Sequence, residues 1–177
     1  MRRFLNAAAI VGALSLSGVS AAQGTAPDFY PMNMSFRLGG VFPLDDRLDD
    51  LGNSLFAFGI DYRLSKPLLP NGETFVSLDW FFGSTTGQKG NVLPLNLNHK
   101  WYTSQEAAEG AKRTYVFLGV GAVFIDLVSS DTVFGARVGA GMELSTNVFV
   151  EGTFFISDRA SGNVRSNAFG AYIGYRF

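Results

Sequence analysis

The sequence predicts an all-β fold: an eight-stranded antiparallel transmembrane β-barrel after a cleaved signal peptide, with residues 1–22 as the signal and 23–177 as the barrel domain. Three observations predict it. Apolar and polar residues alternate with period two through eight segments of roughly ten residues, the length a tilted membrane strand needs. The two faces this alternation creates differ in kind, one charged and one apolar. The N-terminus reads as an export signal.

The export signal comes first in the chain. Met1-Arg2-Arg3 is a short positive start, and Phe4 to Val19 is an uncharged, Ala-rich apolar run. Val19-Ser20-Ala21 and Ser20-Ala21-Ala22 both place small residues where a signal peptidase reads them. The run is short for a membrane-spanning helix, and no later stretch is long and apolar enough to be one. Removing Arg2 and Arg3 takes the formal charge from −1 to −3.

Composition narrows the function classes. Charged residues are 16 % of the chain, against about 25 % in ordinary soluble domains, so the usual solvated surface is under-supplied. A net charge near zero offers no basic excess to neutralise phosphates, which argues against a nucleic-acid partner. Zero cysteine excludes disulfides, thiolate metal sites and cysteine nucleophiles, and a single histidine excludes a multi-histidine metal site.

Each strand is justified by its own alternation. In the first, Met32, Met34, Phe36 and Leu38 alternate with Asn33, Ser35 and Arg37. In the second, Phe56, Phe58, Ile60, Tyr62 and Leu64 oppose Ala57, Gly59, Asp61 and Arg63. The third sets Thr74, Val76, Leu78, Trp80 and Phe82 against Glu73, Ser77 and Asp79. The fourth sets Leu93, Leu95, Leu97 and Trp101 against Asn96, Asn98, Lys100 and Tyr102. The fifth sets Val116, Leu118, Val120 and Phe124 against Tyr115, Gly119 and Gly121. In the sixth, Phe134, Ala136, Val138, Ala140, Met142 and Leu144 oppose Arg137, Gly139, Gly141 and Glu143. In the seventh, Val148, Val150, Phe154 and Ile156 oppose Glu151, Thr153 and Ser157. The eighth sets Phe169, Ala171, Ile173, Tyr175 and Phe177 against Gly170, Gly174 and Arg176.

Turn chemistry separates them. The expected breaks are Pro43–Asp46 with Gly52-Asn53, then Pro67–Gly72, Gly83–Asn91, Thr103–Lys112, Ser129–Asp131, Ser145–Asn147 and Asp158–Ser166. Thr103 with Glu106 has the spacing to cap a helical turn. Pro94 lacks a ladder donor, which places it near a strand end.

Alternation alone does not say which face is outside. A soluble barrel turns its apolar face inward, whereas a membrane barrel turns it to lipid. The polar face carries Arg37, Asp61, Arg63, Asp79, Lys100, Arg137, Glu143, Glu151 and Arg176, and the other almost only apolar residues on all eight strands. Aromatics gather near strand ends at Phe42, Phe56, Tyr62, Trp80, Phe82, Trp101, Tyr175 and Phe177, as in interfacial girdles. Closure would satisfy every backbone group, which hydrocarbon demands. These features favour lipid outside. An eight-stranded interior is just wide enough for side chains, which favours a paired plug of these charges over a thin ion path.

The C-terminus, Gly170-Ala171-Tyr172-Ile173-Gly174-Tyr175-Arg176-Phe177, ends in Phe with apolar or aromatic residues at every second position before it. With the export signal and the eight strands, the whole mature chain resembles the small OmpA/OmpX-type outer-membrane barrel family. The resemblance implies outer-membrane location, both termini in the periplasm and an ascending first strand. It implies outer loops at Pro43–Asn53, Gly83–Asn91, Leu127–Asp131 and Asp158–Ser166. It also implies that Phe169, Ile173, Tyr175 and Phe177 form the signal read by the outer-membrane assembly machinery. The presumed outer loops are not clearly longer than the inner turns, unlike the family's pattern, which limits any large external binding surface.

Catalytic candidates are few. His99-Lys100-Trp101 offers no local nucleophile, and His99 shares the lipid-side parity, as a structural or interfacial residue. Small barrels of this size include the lipid A deacylase family, which uses a His two residues before a Ser with an acid to orient it. Here Phe154-Phe155-Ile156-Ser157-Asp158 keeps Ser157 but has Phe155 in the place of the His, so the general base is missing. Gly119-Val120-Gly121 and Gly139-Ala140-Gly141 lack the rest of a nucleotide fingerprint and read as inward glycines in a curved wall. Asp45, Asp46, Asp49 and Asp50 lack the spacing of a calcium loop and read as a solvated acidic loop. The expectation is a monomeric, non-enzymatic barrel without cofactor or metal. It has outer-membrane lipid and the assembly machinery as partners and a structural or surface-interaction role. A narrow passive channel and a soluble periplasmic ligand-binding barrel are the alternatives.

Overall fold

The computed structural model describes residues 33–49, 52–85, 88–103, 113–127 and 130–177. The signal segment, Asp50 and the Thr103–Glu106 helical turn beyond Thr103 therefore lie outside the described residues. Eight antiparallel strands close into one barrel in sequence order. They are β1 Met34–Pro43, β2 Leu55–Arg63, β3 Glu73–Thr85, β4 Gln88–Tyr102, β5 Thr114–Asp126, β6 Ser130–Glu143, β7 Val148–Ser157 and β8 Ala168–Arg176. β8 returns to β1 in register from Ser35↔Arg176 to Pro43↔Ala168, which removes both sheet edges.

The face assignment follows the sequence parity. Leu38, Phe56, Tyr62, Trp80, Leu97, Leu118, Phe134, Val138, Ile156 and Ile173 are exposed on the outer wall. Arg37, Asp79, Asn96, Asn98 and Arg137 are buried in the interior. The wall is thus a largely apolar surface of the kind hydrocarbon covers favourably. The soluble alternative requires that surface inside.

Two expectations about the strands change. Pro94 lies in the middle of β4, not near its end. Its ring faces inward, and it pairs with Val123 of β5. On the other side, the β3 ladder runs to Leu78↔Leu95 and resumes at Phe81↔Val92, so the missing donor falls in a local interruption of pairing. The Gly83–Asn91 loop is mostly strand as well, with pairs continuing through Gly83↔Gly90 to Thr85↔Gln88. Gly83 and Gly90 read as breaks but pair with each other across the hairpin.

The interior has two tiers. At the end away from the termini, Val41, Leu55, Ala57, Phe81, Val92, Val123, Ile125, Phe155, Ala168 and Tyr172 form an apolar core. The sequence reading missed it, because inward aliphatic and aromatic residues alternate with outward ones there and leave no period-two contrast. Two loops cap this core. A short helix α1, Asp46–Asp49, inserts Leu48, which is completely buried. The β7–β8 loop inserts Val164, also buried. Asp46 and Asp49 stay exposed on the solvent side of α1, so the acidic loop is also a lid. The Ser161 amide donates to Asp131 Oδ2 at 3.0 Å, tying the β7–β8 loop to the β5–β6 hairpin. Leu44 N donates to the Asn167 carbonyl at 2.9 Å and ties the β1 end to the same loop.

Candidate functional site

The second tier holds the charges. Inward parity on β1, β2, β3, β6 and β7 brings five of them to one level. Arg37 pairs with Asp79 at 2.9 Å, Glu151 at 2.7 Å and Asp61 at 2.9 Å. Arg137 holds the other Asp79 oxygen at 2.9 Å, so one carboxylate bridges two guanidinium groups. Arg37 and Asp79 are wholly buried. Burial of charge is tolerated only when partners replace water, and polar side chains complete that replacement. Ser35 donates to Asp61 Oδ2 at 3.1 Å, Thr153 and Tyr115 donate to Glu151 at 3.1 and 3.2 Å, and Arg137 Nε donates to Asn98 Oδ1 at 2.6 Å.

A lower set lies toward the termini. Lys100 pairs with Glu73 at 2.9 Å, and Arg63 stands 3.7 Å from the same carboxylate. Glu143 takes Arg113 at 2.6 Å on one oxygen and Arg176 on the other. Aromatic rings separate these pairs: Arg113 lies 4.3 Å from the Tyr102 ring centroid, Arg176 4.6 Å from Phe149, Arg137 4.9 Å from Phe117 and Lys100 4.9 Å from Tyr115. Such cation–π contacts gain strength where water is displaced. Glu73 and Arg113 were absent from the charges singled out in the sequence. Glu73 already stands on the polar face of its strand in the sequence pattern, and Arg113 continues the inward parity of β5 by one step, which was the available signal.

Between these sets lies a pocket of about 40 Å³, room for a few water molecules, opening at the termini end. Asp61, Glu73, Arg63, Lys100 and Arg176 line it, with Phe75 and Phe149 as apolar walls. Acids and bases thus face one another across it, between the aromatic walls.

The remaining candidates fall apart in space. Ser157 lies at the outer end of β7, where its hydroxyl donates to the Asp158 carbonyl at 2.9 Å and accepts the Ser166 amide at 2.8 Å. Phe155, in the position a base would need, packs edge-on against Phe81 inside the core. His99 lies near the opposite end of the barrel, on the outer wall, with its ring against Trp101. The Gly139 wall position has no space for a side chain, since a Cβ would meet the Gly152 carbonyl oxygen and the Phe117 ring. Among the described residues, no group of three or more His, Asp or Glu side chains is placed to hold a metal ion. On the C-terminal strand, Ile173, Tyr175 and Phe177 are exposed on the lipid side, and Phe169 is half-buried on the same face.

No protein-family model and no curated protein matches the chain. Solved structures do. The outer membrane enzyme PagL superposes with a TM-score of 0.52 at 13 % identity, covering 81 % of this chain and 97 % of that one. Neisserial surface protein A (NspA) superposes with a TM-score of 0.50 at 12 % identity, covering 81 % of this chain and 94 % of that one. At such identities the likeness is one of fold. The chain has the closed eight-stranded antiparallel barrel fold of the small outer-membrane proteins.

Proposed function

We propose that this protein is a monomeric, non-enzymatic barrel of the outer membrane, with a structural role in the envelope or in surface contacts through its short outer loops. One observation carries the reading: the interior is filled at two levels. Leu48 and Val164 cap an apolar core, and the Arg37–Asp79–Arg137–Glu151 network crosses the barrel beneath it. A channel needs a wetted path, and this packing favours a plug. The apolar outer wall and the company of outer-membrane folds support the location. The likeness to an outer membrane enzyme brings no chemistry with it, because Ser157 has no imidazole at hand and its hydroxyl is engaged by backbone.

Purified protein in planar bilayers tests this reading. Baseline current with no steady openings is expected. Sustained ion conductance would replace the plug by the narrow-channel reading. Incubation with outer-membrane lipid, followed by lipid mass spectrometry, is expected to show no modified species, and a released acyl chain would overturn the non-enzymatic reading.

A further inference from the structure

Two polar residues sit on the lipid-side face of the wall where the pattern calls for apolar ones. Thr74 and His99 are direct cross-strand partners at the termini end of β3 and β4. On the same face, Val76↔Leu97 and Leu78↔Leu95 follow. Both polar residues should be open to the surroundings, yet Thr74 is 2 % and His99 5 % exposed. The β2–β3 turn covers them. Its Leu68 amide donates to Thr74 Oγ1 at 2.9 Å, and Thr74 Oγ1 lies 2.9 Å from His99 Nδ1. The Leu64 amide donates to the Thr74 carbonyl at 2.8 Å. The return is equally close. Asn71 has a left-handed φ of 60°, and a Cβ on Gly72 would lie 2.6 Å from His99 Nε2 and overlap the Lys100 carbonyl oxygen. The turn is therefore folded back along the outside of the barrel rather than extended away from it.

What the turn then presents is Lys66-Pro67-Leu68-Leu69-Pro70, exposed throughout. Leu68 is 63 % and Leu69 50 % exposed, as open as the lipid-facing residues of the strands. We infer that this turn is a membrane-embedded hook: the Thr74–His99 pair latches it to the wall so that Leu68 and Leu69 enter the bilayer leaflet at the termini end. The inference rests on the membrane-barrel reading above. The occupant is lipid rather than a protein partner because the leucines continue the apolar surface of Val76, Leu78, Leu95 and Leu97. In addition, the exposed Lys66 on the same turn supplies a cation for phosphate headgroups. The latch also accounts for the chain's single histidine beside Leu95 and Leu97 on the wall, since the turn shields the imidazole from hydrocarbon.

The chain has no cysteine, so single-cysteine labels report cleanly. Leu69→Cys, Leu97→Cys as a wall control and Thr146→Cys as an exposed-turn control would each carry an environment-sensitive fluorophore in phosphatidylcholine vesicles. Heat-modifiable gel migration would confirm folding. Emission from Leu69→Cys should be quenched by acyl-chain-brominated lipid to an extent comparable with Leu97→Cys, and should resist aqueous iodide. Thr146→Cys should show the reverse. Quenching of Leu97→Cys by lipid with Leu69→Cys open to iodide would overturn the hook and leave the barrel reading standing. Failure of lipid to quench Leu97→Cys would overturn both. In the Leu69→Cys background, Thr74→Val and His99→Ala should each move the label toward iodide access. An unchanged lipid signal in the variants that fold would overturn the latch.

Discussion

At the residue scale, Arg37 shows what the interior demands of a side chain. Its guanidinium is fully buried and bound to three carboxylates, so each partner does more than contribute an attraction: it keeps a charge from being stranded. Glu151→Ala should therefore cost about 3–5 kcal/mol in refolding titrations from urea into lipid vesicles. Loss of less than about 1 kcal/mol would mean that water already screens the site. The outer wall obeys a different rule. Val138→Arg, at mid-strand, should cost about 2–4 kcal/mol, whereas Leu144→Arg, just past the end of β6, should cost no more than about 1 kcal/mol. Equal costs at the two positions would show that depth in hydrocarbon does not set the penalty. A polar replacement of Gly139 offers no gentle inward control, because any side chain there meets the Gly152 backbone and is overpacked.

At the scale of elements, α1 and the β7–β8 loop close the outer mouth with two side chains. Leu48→Ala removes the larger and should destabilise the barrel by about 2–5 kcal/mol. Bilayer current should nevertheless stay at baseline, since the charge network below remains intact. Steady openings in this variant would place the seal at the lid alone. The elements also show what could be read in advance. Strand number, parity and the inward place of all nine singled-out charges follow from period two, which one buried and one lipid-facing surface both enforce. The lid does not: Leu48 sits in an acidic stretch whose composition reads as solvated, and only the buried apolar cluster it shares with Val41 and Leu55 explains it. The apolar core escaped for the same kind of reason. Phe81 and Phe155 stand between outward residues that are equally apolar, so alternation carries no contrast there. The β2–β3 hook escaped because its leucines lie between prolines, outside any periodic segment.

At the scale of the whole molecule, the seam between β1 and β8 is the one pairing between strands distant in the chain, and every other strand pairs with its sequence neighbours. Phe177 ends that seam, with its amide donating to the Met34 carbonyl at 3.2 Å and its ring edge-on to Phe36 at 5.4 Å. Deleting Phe177 removes a lipid-side ring and leaves the interior untouched. The truncated chain should still show heat-modifiable folding in detergent yet reach the outer membrane poorly in cells, as judged by fractionation. Undiminished delivery would remove the tail's proposed role as an assembly signal. The seam has a further consequence. Because the last residue touches the start of β1, the strand at which the gene begins is independent of the order in which the strands stand around the ring. A permuted chain, joined from Phe177 to Asn33 by a short glycine linker and opened at the tip of the β3–β4 hairpin, keeps every strand neighbour. It should refold in detergent to the same heat-resistant band while ending in β3, without the alternating tail that closes on Phe177. Such a chain would ask the cell which it recognises, the finished cylinder or the spelling of its last strand.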